Sequence, residues 1–181
     1  KLNWSDQLVI KTASALHDIG KIGISEKILN KKEPLTEREK ELVQAHTMLG
    51  AAMLKNLDSH KEDDLVTTAY EICRWHHERY DGKGYPDGLK GDEIPISAQI
   101  VSLADAYDKL TRDRVNKKGI SHKEAVNILL HERASEFNPI LLECLEEIQG
   151  NISRAMQDGG RDLEVLNEGS AYKKMIEEAE E

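Results

Sequence analysis

Aromatic side chains make up only 4% of this 181-residue chain. Alternating runs of Val, Ile and Thr are equally scarce, so neither composition nor pattern supplies strands. Cysteine is almost lacking. Cys73 and Cys144 have no CxxC spacing, which argues against a thiolate zinc site. Both sit among apolar residues and are expected as buried free thiols of a reducing compartment. No apolar run approaches the roughly 20 residues that cross a bilayer, and no signal-peptide pattern opens the chain. Positive charge is in deficit, with 25 Lys+Arg against 34 Asp+Glu and a formal net charge of −9. A general nucleic-acid or membrane-surface binder would need a broad basic patch. A small anionic ligand held by a few local cations or metals remains compatible. There is no internal repeat.

What is present is helical periodicity, nearly throughout. Ser5 is placed to cap a helix through Leu8, Val9, Thr12, Ala13 and Leu16 toward His17. A loop with Gly20, Gly23 and Pro34 follows. Thr36 and Glu39 form a capping box, and the helix they start puts Leu42, His46, Leu49 and Met53 on one stripe. A third helix holds Leu65, Ala69, Ile72 and Cys73 and ends near His76 and His77. A Gly/Pro loop spans Asp81 to Pro95. Ser97 opens the next helix, with Val101, Ala104, Asp105 and Asp108 on its inner positions. Ser121 with Glu124, and Asn138 with Pro139, start two more. Residues 1–150 are expected as one domain and 151–181 as a helical extension or linker.

The histidines and aspartates fall at telling places. His17 and Asp18 lie at one helix end, His46 in an apolar stripe, His76 and His77 at another helix end, and Asp105 on an inner helical face. Adjacent helical residues project about 100° apart, so His76 and His77 flank a metal or span two sides of a pocket. Imidazoles with carboxylates and no thiolates suit catalytic Fe, Mn or Zn. An aspartate can bridge two cations, and a two-metal site serves phosphoryl chemistry. Taken singly, each residue has a plainer reading: a core histidine, a chance dipeptide, a turn. His60, His122 and His131 lie outside the pattern, on solvated faces.

Three long blocks, "LHDIGKIGISEKIL", "HHERYDGKGYPDGLKGDEIP" and "AQIVSLADAYDKLT", resemble the signature blocks of the HD-GYP domain, a branch of the HD phosphohydrolases. The resemblance covers about residues 5–149. It implies an all-α HD-domain helical bundle and a bacterial, cytoplasmic signalling module. It implies hydrolysis of cyclic di-GMP to pGpG, and often on to GMP, at two or three divalent metals, Fe or Mn. By motif, His17, Asp18, His46, His76, His77 and Asp105 match metal ligands, with Asp18 as the bridge. Lys21 matches the lysine of HDxGK and would face a phosphate oxygen or the attacking hydroxide. Gly84 and Tyr85 match the substrate loop, and Arg114 and Lys117 match phosphate-binding cations.

The chain departs from the family pattern in three places. The family has an upstream helix with a metal-ligating Glu and His, and this chain begins after it. "RDRVNKKG" stands where RPYR is usual, and "FNP" where FDP is usual. Receiver, sensor or GGDEF-type domains are the expected partners in a longer protein, and the module can form a homodimer. The alternative is a degenerate HD-GYP module that binds cyclic di-GMP or a partner protein without cleaving it.

Overall fold

Asn3, not Ser5, starts the first helix. The computed structural model describes residues 2–57, 63–113 and 118–157, and all regular structure among them is helical. Helix α1 runs Trp4–Ser14. Asn3 Oδ1 accepts from Asp6 N at 2.9 Å, and Asp6 Oδ2 accepts from Asn3 N at 3.0 Å. Such a reciprocal cap needs an acid three residues on. Asn3 has one in Asp6, whereas Ser5 would have Leu8.

A 3₁₀ turn over Ile19–Gly23 and the short α2, Glu26–Leu29, lead to α3, Glu37–Gln44. Thr36 and Glu39 make the expected box there, with Thr36 N donating to Glu39 Oε2 at 2.8 Å. The helix does not continue as one rod. The chain bends at Ala45, and α4 runs His46–Lys55. The bend breaks the expected stripe. His46 is buried, while Leu42, Leu49 and Met53 are exposed. The inner face of α4 is instead His46, Thr47, Gly50, Ala51 and Leu54.

Helix α5, Asp64–Trp75, is central, and α1, α4 and α6 (Ile96–Thr111) pack on it. Ala13, Leu54, Ala69, Ile72, Cys73 and Val101 form one buried cluster. Ile72 is fully buried, so truncation to Ala would cost about 2–5 kcal/mol. Ser97 does not cap α6. It lies inside the helix and donates to Glu71 on α5 at 2.8 Å. Helix α7, His122–Asn127, is capped by Ser121 and continues into a π turn over Ile128–Glu132. His122, expected on a solvated face, is held by the Tyr107 hydroxyl at 2.8 Å. Helix α8 is Pro139–Gln157, with Asn138 Oδ1 accepting from Ile140 N at 2.9 Å.

The chain divides into two compact units, Lys1–Leu142 and Glu143–Glu181, and the centre described below lies in the first. Cys73 is buried, as expected, and burial pushes its thiol up to about 12. Cys144 is exposed. It sits about 100° round α8 from Leu145, which is buried. No helix among the described residues is long and apolar enough to cross a membrane.

Candidate metal centre

The centre begins with a glycine. Gly20 lies so close to α4 that an added Cβ would stand 1.9 Å from the His46 carbonyl oxygen and 2.5 Å from Gly50 N. Only glycine allows the 3₁₀ turn to rest there. That contact carries Asp18, two residues earlier, to the start of α4. Asp18 Oδ1 then lies 3.3 Å from His46 Nε2 and 3.9 Å from His76 Nε2. Asp18 Oδ2 faces the other way, 3.3 Å from His17 Nε2 and in an ion pair with Lys21 Nζ.

Backbone carbonyls fix the three rings. His17 Nδ1 is 2.8 Å from Ser14 O, His46 Nδ1 is 2.6 Å from Val43 O, and His76 Nδ1 is 2.8 Å from Ile72 O. A carbonyl only accepts, so each Nδ1 carries a proton; the neutral His46 and His76 rings turn an Nε2 lone pair inward, whereas His17 Nε2 donates to the Asp18 carboxylate. Ligating histidines are oriented in this way by a second partner. His46 Nε2 and His76 Nε2 are 3.4 Å apart. A hydrogen bond between them would require one ring to take a second proton. Burial opposes that in both, lowering His46 and taking His76 down to about 4. Asp18 Oδ1 is buried and has no hydrogen-bond partner. A buried carboxylate oxygen among lone pairs is costly unless a cation sits with it.

His77 completes the cluster. The ligand atoms of His46, His76 and His77 all lie within 4.8 Å of one another. Burial lowers His77, with its neighbour His76 adding to the effect, so the ring is neutral and free to coordinate. Burial also pushes the Asp18 carboxyl up, but hydrogen bonds from His17 and Lys21 outweigh it and hold the group ionised. His17 is raised, because its bond to Asp18 outweighs its own burial. Imidazoles converging on a carboxylate fit a divalent transition cation.

The loop after His77 is closed onto it. An added Cβ on Gly84 would stand 2.4 Å from Arg79 N and from Glu78 Cα. Tyr85 N donates to His77 O at 3.2 Å, and the Tyr85 ring stacks on His77 with centroids 4.9 Å apart. Two carboxylates hold the rest of the loop. Buried Glu78 Oε1 accepts from Asp87 N at 2.7 Å and Gly88 N at 3.0 Å. Asp87 accepts from Arg74 Nε at 2.7 Å, Arg74 Nη2 at 2.9 Å and Trp75 Nε1 at 2.7 Å.

Two cavities flank the centre. The larger, about 750 Å³, is lined by His17, Asp18 and Lys21 and floored by Ile10, Ile100, Val101 and Ala104. The smaller, about 370 Å³, is lined by His77, Gly84, Tyr85, Arg79 and Arg133. Asp105 and Lys109 line both. Asp105, 14% exposed in its side chain, is paired with Lys109 one turn along α6. Pockets of this size, roughly 300–1,000 Å³, suit small ligands. The sequence positions His17, Asp18, Lys21, His46, His76, His77, Gly84, Tyr85 and Asp105 thus lie on or beside one centre. Arg114 and Lys117 lie outside the described residues. Glu78, Asp87 and Lys109 were not foreseen. Lys109 alone carried a signal, standing four residues after Asp105 on a helix.

A family model described as "HD domain" matches residues 1–141. A probable cyclic di-GMP phosphodiesterase of Vibrio cholerae is 45% identical over 134 residues, 73% of this chain and 30% of that protein. The cyclic di-GMP phosphodiesterase response regulator RpfG of Xanthomonas campestris is 36% identical over 161 residues, 85% of this chain and 42% of that protein. A 3′3′-cGAMP-specific phosphodiesterase 2 of Vibrio cholerae is 37% identical over 143 residues, 79% of this chain and 27% of that protein. The chain therefore spans less than half the length of these curated relatives. With the HD dipeptide at His17–Asp18 and the Gly84–Tyr85–Pro86 loop folded against His77, the chain belongs to the HD domain family, in its HD-GYP branch.

Proposed function

We propose that this chain is the metal-dependent phosphodiesterase module of a bacterial signalling protein, cleaving cyclic di-GMP to pGpG and then GMP. One observation carries the reading: Asp18 Oδ1, buried and unpartnered, faces the inward Nε2 atoms of His46 and His76. His17, Asp18, His46, His76, His77 and Asp105 would hold two or three divalent ions, Fe or Mn. Such ions supply Lewis acidity and a nucleophilic water at neutral pH.

The residues of the chain do the rest. Asp18 offers one oxygen to each side of the centre, as a bridging carboxylate must. Lys21 lies beside it, part-exposed on the lining of the larger cavity, where its ammonium would offset phosphoryl charge. Gly84 lets Tyr85 approach His77, and the stacked ring forms a wall of the smaller cavity. Arg114 and Lys117 would add cations. The chain's net charge of −9 is no obstacle, because bound divalent ions dominate the local field.

The module would occupy 1–150, with 151–181 as an extension. A receiver, sensor or GGDEF-type partner is the proposed input. RpfG, a response regulator, supports a receiver. A cytoplasmic setting belongs to the same reading, since a charged dinucleotide does not cross a bilayer unaided, and a homodimer is proposed with it. Relatives named as cGAMP-specific support 3′3′-cGAMP as the alternative substrate.

The test is chromatography of cyclic di-GMP and 3′3′-cGAMP after incubation with Mn- or Fe-loaded protein. Metal-dependent appearance of linear dinucleotide is expected. Loaded, folded protein that binds cyclic di-GMP and leaves it intact would favour the degenerate binding module.

A further inference from the structure

Lys109, on α6, reaches the lining of the larger cavity from a different element than Lys21, which lies in the Ile19–Gly23 turn. Its ammonium pairs with Asp105, as that of Lys21 pairs with Asp18. The two lysine side chains are 34% and 36% exposed, so both are partly open to solvent. Both line the larger cavity, and Lys109 also lines the smaller one. Its charge adds to burial in holding His46 and His77 neutral.

We propose that Lys109 is a second phosphate-binding cation of the centre, contacting a phosphodiester oxygen of the substrate alongside Lys21. The assignment rests on the phosphodiesterase reading. Asp105 serves a metal only by giving its charge to it, and the Lys109 ammonium then needs another anion. A non-bridging phosphate oxygen meets that need through a charge-assisted hydrogen bond. A cyclic dinucleotide carries two phosphodiesters, so two lysines on one cavity match its charge. Arg112, on the same cavity, pairs with Asp108, which is not among the residues that would hold a metal and so keeps its cation.

The competing role is a clamp, in which Lys109 merely orients Asp105 for the metal. The two roles move metal content differently. Loss of a clamp weakens the metal. Loss of a phosphate contact leaves it in place, or tightens it by removing a competitor for Asp105.

The experiment titrates inorganic phosphate into Mn-loaded wild type, Lys109→Gln, Lys109→Met and Lys109→Arg by calorimetry, with elemental analysis of each. Phosphate affinity about tenfold weaker in the Gln and Met variants, partial recovery in the Arg variant and unchanged or higher metal content are expected. Unchanged phosphate affinity, a fall in metal content, or a wild type with no measurable phosphate affinity would overturn the assignment. A parallel titration with cyclic di-GMP separates the two claims. Phosphate binding that depends on Lys109 in a protein that neither binds nor cleaves cyclic di-GMP would remove the substrate and keep the lysine.

Discussion

His46 Nε2 and His76 Nε2 stand 3.4 Å apart, each ring held by a backbone carbonyl on its far nitrogen. Two neutral imidazoles in this arrangement point lone pairs at each other. The arrangement makes physical sense with a cation between the groups.

Metal content should therefore depend on the paired histidines of α5. Protein purified without chelator should hold divalent metal, and a His76→Ala/His77→Ala double variant should lose it. Even outer partners of ligating histidines are worth roughly 10–100-fold in metal affinity, so a loss of about tenfold or more is expected. Elemental analysis with circular dichroism measures it. Equal metal in both folded proteins would remove the ligand assignment.

Metal affinity should rise with pH. His17 is raised above its ordinary value by its bond to Asp18, so it holds a proton where a free imidazole would not. A metal must displace that proton. Affinity should climb as pH passes through the His17 titration and level off above it. His46 and His76 are lowered and stay neutral across that range, so they release no proton. Titration of Mn between about pH 6 and pH 8 in buffers of different ionisation enthalpy reads the released proton. A flat profile would contradict the account.

Gly20→Ala should lose both stability and metal. The new Cβ would stand 1.9 Å from a backbone oxygen, where no side-chain rotation relieves it. Overpacking of this kind costs about 1–3 kcal/mol, occasionally more, and the turn that must yield is the one placing Asp18. Denaturant unfolding and metal analysis should fall together. A variant with wild-type stability would show that the turn does not need this close contact.

Asp87→Ala should loosen the Tyr85 loop without unfolding the protein. It removes the acceptor of Arg74 and Trp75, part-exposed to solvent, so a cost of about 1 kcal/mol is expected. Faster amide exchange over residues 81–91 and altered Trp75 emission would report it. Unchanged exchange would show that Glu78 alone holds the loop.

Much of this was legible in the sequence because the signals are local. Thr36 with Glu39, Ser121 before Glu124 and Asn138 before Pro139 act within four residues and mark the helix starts where they occur. The HD, HH and Gly84–Tyr85–Pro86 elements needed only their order. Other features depend on groups distant in the chain. The bend at Ala45 redirects Leu42, Leu49 and Met53 outward, which no periodic pattern records. Ser97 resembled a cap but serves Glu71, 26 residues away. The inward Nε2 atoms arise from carbonyls within four residues of each ring, yet their convergence requires Gly20 against α4. Lys109 was visible as an i+4 partner of Asp105. Its place on both cavities was not.

The central claim is that Asp18 joins the two sides of the centre. The most direct measurement is an Asp18→Ala substitution, with metal stoichiometry and cyclic di-GMP turnover followed together and circular dichroism as the folding control. The account predicts a folded protein with reduced metal and turnover below about a tenth of wild type, a barrier increase of more than about 1.4 kcal/mol. Full metal content with more than about a tenth of the rate would contradict it.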